Sequence, residues 1–546
     1  MDTQRLILFI VFSFSVLMLW DTWQKDQHPA PVGQVAQEKA GTSQTPSPTA
    51  LPADAPAKDF GGPLQSGERV KVQTDLIYAE IDTLGGDVRR LELLKHHDTQ
   101  DKSKNFVLLE DDPKHLYIAQ SGLIGNDLPT HKTLFSNAAT QYKLAEGANE
   151  IQARLTWVGA NGVKVDKIFT FRKGSYVVDV AYEINNGSGT RLEPHAYFQL
   201  VRNGQPPLGN PKFVSTYTGF AVYTEKDKFN KISFSDIDKN KASYPKQSDD
   251  GWVAMVQHYF LSAWLPANQP REYYAKKLGD DLYDAGVILP VGLIEPGSVK
   301  KVTVPLYVGP QEQDHLSKVA PGLNLVVDYG ILTVISAPLF WVLAFLNKLV
   351  HNWGAAIILL TILIKLAFYP LSAKSYRSMA QMRVLGPKLQ KLKEQYGDDR
   401  QRLHTAMMEL YKTEKVNPLG GCLPVVVQIP VFIALYWALL NSVEMRQAPF
   451  MLWIHDLSSP DPFYILPIVM GITMIIQTKL NPTPPDPIQA KVMMVMPIAF
   501  SVFFFFFPAG LVLYWVVNNT LSIAQQWYVT HGVEQEKVAA KRHGKH

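Results

Sequence analysis

Cysteine is almost absent from this chain, since Cys422 is the only one in 546 residues. A single thiol excludes an intramolecular disulfide, and no His–Asp partners lie near Cys422 in sequence to complete a zinc site. The phosphate-binding motif GxxxxGK[ST] is also missing, which argues against a nucleotide requirement. The net charge is only +4, so bulk basicity does not indicate nucleic acid binding. We therefore expect no cofactor, no metal and no DNA partner.

Long hydrophobic runs, in contrast, are frequent, and the first one lies at the N-terminus. Arg5 precedes the apolar run 6–20, and no small-x-small cleavage site follows it closely. A cleavable signal peptide is the alternative interpretation. We predict an uncleaved transmembrane anchor over residues 1–23, with its N-terminus in the cytoplasm.

Two regions without long apolar runs follow the anchor. Residues 24–57 are rich in Pro, Ala, Gln, Ser and Thr, which is typical of a flexible linker. Residues 58–320 alternate apolar and polar side chains with period two, between turn signals such as Asn-Gly. The size and the all-β character of 58–320 resemble the supersandwich of sugar mutarotases. Its candidate acids and bases include His195, His258 and Asp280. Their spacing in the sequence matches no catalytic motif, so we predict that the chain is not an enzyme.

The second half of the chain is dominated by apolar segments. Residues 321–353 are interrupted by polar side chains, and Trp341 with the turn at 352–354 favours a helix that lies in the membrane interface. A span over 330–347 is the alternative. The spans predicted after this helix are 354–371, 423–440, 463–478, 492–507 and 511–527, which with the anchor makes six.

A polar hairpin, 373–417, separates the second and third of these spans. Its apolar residues recur at helical spacing on both sides of Gly397-Asp398-Asp399, which predicts two helices joined by a turn. The hairpin contains ten Lys and Arg residues, whereas the loop 443–462 contains one. Because basic loops remain in the cytoplasm, we predict that the hairpin, the basic tail 531–546 and both termini are cytoplasmic, with 58–320 outside.

One lysine lies inside the second predicted span, in the stretch TILIKLAFYP. A charge near the bilayer centre costs on the order of 3 kcal/mol on insertion scales. Lys365 lies about 16 Å inward from the start of the span at 1.5 Å per residue, and its stem allows snorkelling to the cytoplasmic interface as one interpretation. The other is a hydrated cavity, because Thr361 lies one turn away and other spans carry polar side chains such as Gln428 and Asn518 at depth.

Three segments carry a family resemblance: KVNPLGGCLPVVVQIPVFIALYWAL (415–439), RQAPFMLWIHDLSSPDPFYILPI (446–468) and FFPAGLVLYWVVNN (506–519). They resemble the YidC-type membrane protein insertases of Gram-negative bacteria, and the resemblance extends over the whole chain. It implies an α-helical polytopic protein of the inner membrane with a periplasmic β-supersandwich, and a five-helix insertase core over 354–530.

The resemblance also implies a function and a site. Such insertases place nascent membrane proteins in the bilayer, alone or beside the Sec translocon, through a cytoplasm-open groove that carries a basic residue, usually arginine. The aligned position holds Lys365, Thr361 matches the groove threonine, Gln428 matches a polar residue of the third span, and Trp515 falls where relatives have an aromatic residue. Asn518 joins this set as a polar residue at depth. The hairpin and tail suit ribosomal RNA or anionic lipid headgroups.

Two other functions remain possible on the residues alone. A secondary transporter usually shows repeated halves and broken helices with several pairable charges, and neither is evident here. A membrane-anchored periplasmic protein active on carbohydrates requires that 58–320 bind sugar by itself.

Overall fold

The computed structural model describes residues 64–99, 101–207, 216–397, 399–414, 416, 423–481 and 487–543. The predicted anchor, 1–23, and linker, 24–57, lie outside the described residues. Contacts divide the rest into two compact units, one that ends at Val327 and one that begins at Asp328.

The first unit is built from strands. In chain order they are β1 Arg69–Gln73, β2 Ile77–Asp82, β3 Asp87–His97, β4 Asn105–Leu109, β5 Tyr117–Ile124, β6 Ser136–Asn137, β7 Gln141–Lys143, β8 Glu150–Val158, β9 Val163–Arg172, β10 Val177–Asn186, β11 His195–Asn203, β12 Gly219–Thr224, β13 Lys228–Ile232, β14 Gln247–Ser248, β15 Trp252–Gln257, β16 Phe260–Trp264, β17 Arg271–Gly279, β18 Leu282–Pro290 and β19 Val299–Pro310. Two short helices accompany them, α1 Phe234–Asp238 and α2 Gln313–Val319.

The strands form two large sheets that are antiparallel except where β1 pairs with β7. Within the described residues, one sheet has ten strands in the order β14-β17-β18-β11-β5-β3-β2-β1-β7, with β4 paired to β3. The other has nine, in the order β13-β12-β15-β16-β19-β10-β9-β8-β6. The prediction that this region is β-rich is therefore confirmed, while its bounds, 58–320, and the supersandwich assignment stay predictions.

Aromatic side chains form the contact between the two sheets. Phe198 of β11 meets Tyr182 of β10 edge to face at 6.1 Å and Trp264 of β16 at 5.0 Å between ring centroids. All three side chains are buried, and the Trp264 indole N–H donates to the backbone carbonyl of Gln199 at 3.1 Å. Successive side chains of a strand point to opposite faces, so Phe198, Tyr182 and Trp264 are the members of their strands that face the other sheet.

The second unit is helical. Its helices are α3 Thr333–Val350, α4 Trp353–Ala367, α5 Tyr369–Tyr396, α6 Arg400–Thr413, α7 Leu423–Asn441, α8 Ile465–Leu480, α9 Pro487–Phe503 and α10 Ala509–His543. The predicted hairpin is present as α5 and α6, which are joined at Gly397 and Asp399 and cross-linked by an ion pair between Lys388 and Glu414.

Apolar helix lengths support only part of the six-span prediction. In the described part of the chain, Thr333–Val350 is the one helix that is long and apolar enough to cross a bilayer by itself, and the pair α4 and α5 passes the same test together. The remaining apolar helices are shorter: Gln428–Asn441, Ile465–Leu480 and Lys491–Phe506. The number of spans and the interfacial position predicted for 321–353 therefore stay predictions.

Two helix ends differ from the sequence prediction. The segment predicted as one span over 354–371 breaks at Phe368, and α4 and α5 meet at 68°. Pro370 explains the break, because its nitrogen carries no hydrogen to donate to the preceding turn. At the other end of the unit, α10 continues from Ala509 to His543, beyond the predicted span 511–527 and across the predicted boundary at residue 530.

Candidate functional site

Lys365 lies in the last turn of α4, and its side chain is buried with only 6% exposed. Its ammonium donates to the Ser522 hydroxyl of α10 at 2.7 Å and, at a longer distance of 3.5 Å, to the Gln428 side-chain oxygen of α7. Three helices that are far apart in sequence therefore converge on one charged atom.

The residues around the ammonium are joined to one another. The Gln428 amide nitrogen donates to the Asn518 side-chain oxygen at 2.6 Å, and the Ser522 hydroxyl donates to the Asn518 backbone carbonyl at 2.8 Å. The Tyr376 hydroxyl of α5 also hydrogen bonds with Ser522. Lys365, Gln428, Asn518 and Ser522 thus form one closed hydrogen-bond network, which we name the Lys365 network.

The charge of Lys365 is balanced by neutral oxygens. Among the described residues, no carboxylate lies within ion-pair distance of its ammonium. Burying an ammonium is expensive unless hydrogen bonds compensate it, and here a hydroxyl and an amide oxygen supply that compensation. The arrangement leaves the site with a net positive charge.

A small cavity of about 20 Å³ opens beside the Lys365 network. A water molecule needs on the order of 10–15 Å³ of such space together with polar partners, so the cavity has room for about one water. It is lined by Ile364, Lys365, Phe368, Leu371, Ser372, Gln428 and Asn518. No group of three or more His, Cys, Asp or Glu side chains within the described ranges is placed to hold a metal ion.

Thr361 is buried one turn before Lys365, but it does not join the network. Its hydroxyl donates to the Ile357 carbonyl of its own helix at 2.7 Å. This local hydrogen bond satisfies the donor, so the hydroxyl offers only its oxygen to other groups.

Trp515 lies in an apolar cluster rather than in the Lys365 network. Its ring packs against Phe432 of α7 at 4.7 Å and against Phe504 at 5.9 Å between centroids. The cluster also contains Met470 of α8 and Val512 of α10. The indole nitrogen is buried and has no hydrogen-bond partner among the described residues.

Ser522 is the network member that the sequence prediction missed. It follows Asn518 by four residues, so both lie on the same face of α10, and both are buried. A second polar face of the same helix meets α8, where Asn519 donates to Thr473 at 3.4 Å and Gln526 donates to Asn481 at 3.0 Å. The spacing of these polar residues was the available signal.

Comparison with known proteins gives a consistent result over both units. Residues 69–342 match the family model of the YidC periplasmic domain, and residues 345–537 match that of the 60Kd inner membrane protein. A membrane protein insertase YidC of Methylobacillus flagellatus is 60% identical, covering 100% of this chain and 99% of that protein. That of Nitrosospira multiformis is 57% identical, covering 98% of each chain.

Solved structures resemble this fold more distantly. A crystal structure described as an active YidC insertase with its first transmembrane domain resolved covers 85% of this chain and 93% of its own, at 17% identity and a TM-score of 0.40. A galactose mutarotase related enzyme from Lactobacillus acidophilus covers 44% of this chain at a TM-score of 0.31.

Proposed function

This chain belongs to the YidC family of membrane protein insertases of the bacterial inner membrane, and we propose that it inserts nascent proteins through a polar groove centred on the Lys365 network. Family membership over the whole chain weighs against the secondary transporter and the carbohydrate-active protein as alternatives.

The observation that carries the proposal is the buried, positively charged ammonium of Lys365, which is held by neutral oxygens. A client must move a short polar segment across hydrocarbon that offers it no hydrogen-bond partners. A cation and amide groups part-way across the bilayer replace some of the hydration that the client segment loses. The layer of hydrocarbon that the segment still has to cross is therefore thinner. Acidic segments gain most, because no described carboxylate neutralises the charge.

The apolar part of a client has a different route. Exposed apolar side chains cover α7 and α9, among them Ile429 and Ile433 on α7 and Val495 and Ile498 on α9. A hydrophobic segment that leaves the groove beside these helices partitions into lipid, driven by its own burial.

The remaining elements fit a cytoplasmic entrance to the groove. The basic hairpin α5–α6 and the tail at the end of α10 face the cytoplasm in this proposal and meet the ribosome, while the β unit is periplasmic. Cooperation with the Sec translocon is part of the same proposal. The excess of Lys and Arg in 373–417 over 443–462 supports this orientation.

Insertion by purified variants in liposomes tests the proposal. Lys365→Ala should slow the insertion of a single-span substrate with an acidic translocated segment, Lys365→Arg should retain it, and Lys365→Glu should be the most impaired. Lys479→Ala, which removes an exposed lysine from the last turn of α8, is the matched control. Wild-type rates for Lys365→Glu would refute the electrostatic role.

A further inference from the structure

The loop between α7 and α8, residues 443–462 and here named the outer loop, is an ordered hairpin. The Leu457 N–H donates to the Ala448 carbonyl at 3.0 Å, and the Phe450 N–H donates to the Ile454 carbonyl at 2.9 Å. The Ile454 N–H donates to the Met451 carbonyl at 3.1 Å, and this hydrogen bond closes the turn. Residues 451–454 are therefore a tip of fixed shape.

Two carboxylates hold the base of this hairpin. Asp456 accepts from the backbone N–H groups of Gln447 at 3.0 Å and Ser458 at 2.9 Å. Asp461 is buried and accepts from the Trp453 indole at 3.0 Å and from the backbone N–H of Leu466, in the first turn of α8, at 2.7 Å. The carboxylates replace the partners that loop N–H groups otherwise lack.

The outer loop is also tied to α4 and α10. The Asn352 side chain caps α4 and donates to the Phe450 carbonyl at 2.8 Å, and a Cβ on Gly354 would lie 2.1 Å from the Phe450 ring. The Gly510 N–H donates to the Leu457 carbonyl at 2.9 Å. Because three helix ends hold the loop, the level of its tip relative to those ends is fixed.

The tip presents apolar side chains that the described part of the chain leaves uncovered. Met451 is 57% exposed and Leu452 is 74% exposed. Leu452 has a φ of 54°, in the left-handed region that Gly and Asn usually occupy. The described part of the chain leaves most of this strained leucine to its surroundings, and an apolar surrounding is more favourable for it than water.

Neighbouring exposed residues indicate what that surrounding is. Trp341, Phe345 and Leu349 form an exposed stripe on α3, whose end leads directly into the Asn352 cap of α4. Phe463 and Tyr464 are exposed where the outer loop enters α8. The tip continues this apolar and aromatic band, and Trp and Tyr are the residues typical of the headgroup level of a bilayer.

We propose that the tip of the outer loop inserts Met451 and Leu452 into the outer leaflet, where they contact lipid acyl chains just below the headgroups. The inference rests on the proposed function for the orientation of the loop, which places it on the periplasmic side. Through the ties to α4, α8 and α10, the inserted tip fixes the depth of three helix ends, and two of these helices, α4 and α10, carry residues of the Lys365 network further along.

Fluorescence of the full-length chain in liposomes tests this contact. In a Cys422→Ser background, Leu452→Cys carries an environment-sensitive nitrobenzoxadiazole label, and His455→Cys, an exposed polar position on the same hairpin, is the matched control. The label at 452 should emit further to the blue than the label at 455, and lipids with a shallow doxyl group should quench it most. Met451→Cys should behave like Leu452→Cys and covers the case in which the latter fails to fold.

Water-like emission at both 451 and 452 would overturn the inference. Blue-shifted emission that doxyl lipids do not quench, and that depends on protein concentration, would mean that a second copy covers the tip and would overturn it as well. A membrane-impermeant thiol reagent should reach His455→Cys from the outside. Reaction only from the cytoplasmic side would refute the orientation in the proposed function, whereas outside reaction with a water-like tip would refute the inference alone.

Discussion

At the residue scale, the two lysines that are buried within the described ranges, Lys167 and Lys365, have different surroundings. Lys167 of β9 is fully buried, donates to the backbone carbonyls of Gly85 at 2.9 Å and Ser121 at 3.2 Å, and lies over the Tyr182 ring. Burial lowers the pKa of Lys167 to about 7, although Asp87 opposes the shift. In the part of the chain that the structure describes, Lys365 has no such carboxylate and it borders a cavity, so its charge is available to a ligand in a way that the charge of Lys167 is not.

The Ser522 hydroxyl accepts the shorter of the two hydrogen bonds from the Lys365 ammonium, so removal of this hydroxyl should weaken the compensation of the buried charge. A hydrogen bond to a charged group contributes about 1.5–3 kcal/mol, which corresponds to a roughly tenfold or greater change. Ser522→Ala should reduce the insertion rate of substrates with acidic segments by up to roughly tenfold, because a water molecule that fits the cavity would replace part of the lost hydrogen bond.

Ser522→Thr keeps the hydroxyl and should retain most of the activity. Thr520→Ala is the control, since Thr520 is an exposed residue of the same helix. If Ser522→Ala and Thr520→Ala insert the same substrate equally fast, Ser522 does not position Lys365.

Asp284 of β18 gives the β unit a testable pH dependence. Burial raises the pKa of Asp284 to about 7, although Lys276 lies 3.8 Å away and opposes the shift. The folded chain therefore binds a proton that the unfolded chain has lost between about pH 4 and pH 7, and this group lowers stability as the pH rises through that window.

Asp284→Asn removes this penalty, so its free energy of unfolding should exceed that of the wild type at pH 8 by at most about 4 kcal/mol. The difference should shrink towards pH 5. Urea unfolding at both pH values measures it, with the exposed Asp281→Asn as the control. A difference that is the same at pH 5 and pH 8 would rule out Asp284 as the titrating group.

Individual residues of the site were predictable where a charged or amide side chain interrupts an apolar run. Lys365, Gln428 and Asn518 stand out because charge and amides are rare in apolar runs, and the structure joins them. Ser522 was missed because a serine hardly disturbs such a run. The structure leaves Thr361 bonded to its own helix, a contact that hydropathy does not encode.

At the element scale, helix positions were readable from the sequence, and helix ends were less so. The apolar runs match α7, α8 and α9, since hydrophobic length alone marks them. The break at Phe368 was missed because Pro370 lies inside an otherwise apolar run. The continuation of α10 to His543 was missed because hydropathy falls where the helix continues with polar residues.

The short helices α8 and α9 predict a thinned bilayer beside them. α8 has 16 residues and α9 has 17. At 1.5 Å per residue they are about 24–26 Å long, against about 30 Å of hydrocarbon. A short span thins the bilayer or recruits neighbours, and thinning lowers the barrier that a polar client segment crosses.

Lengthening both helices by one turn of leucine should therefore slow insertion while the protein remains folded. Depth-resolved spin labels in lipid beside the two helices measure the thickness directly, and the same extension at the C-terminal end of α10 serves as the control. Native insertion rates in the lengthened variant, or normal thickness beside the native helices, would exclude thinning as a contribution.

At the scale of the whole molecule, the chain consists of two compact units with separate cores. The strands end at Pro310, the first unit ends at Val327, and the Lys365 network lies entirely in the second. In the sequence, period-two strands and long apolar runs likewise occupy different halves of the chain.

Deletion of residues 58–310 should therefore leave insertion largely intact, provided that α3 is kept. The measurement is insertion by the purified deletion variant at equal protein level, compared with the full-length chain. A stably expressed variant without activity would show that the β unit takes part directly.

The hydrogen bonds of the Lys365 network all have an assigned donor and acceptor. A protonated lysine only donates, so Gln428 must present its oxygen to Lys365 and its nitrogen to Asn518, and Ser522 must accept from Lys365 and donate to the Asn518 carbonyl. Both branches therefore run from Lys365 and end on oxygens of Asn518, whose amide nitrogen is left as a donor. A chain segment that enters the cavity meets N–H groups, so a carbonyl or a carboxylate is complementary there and an ammonium group is not.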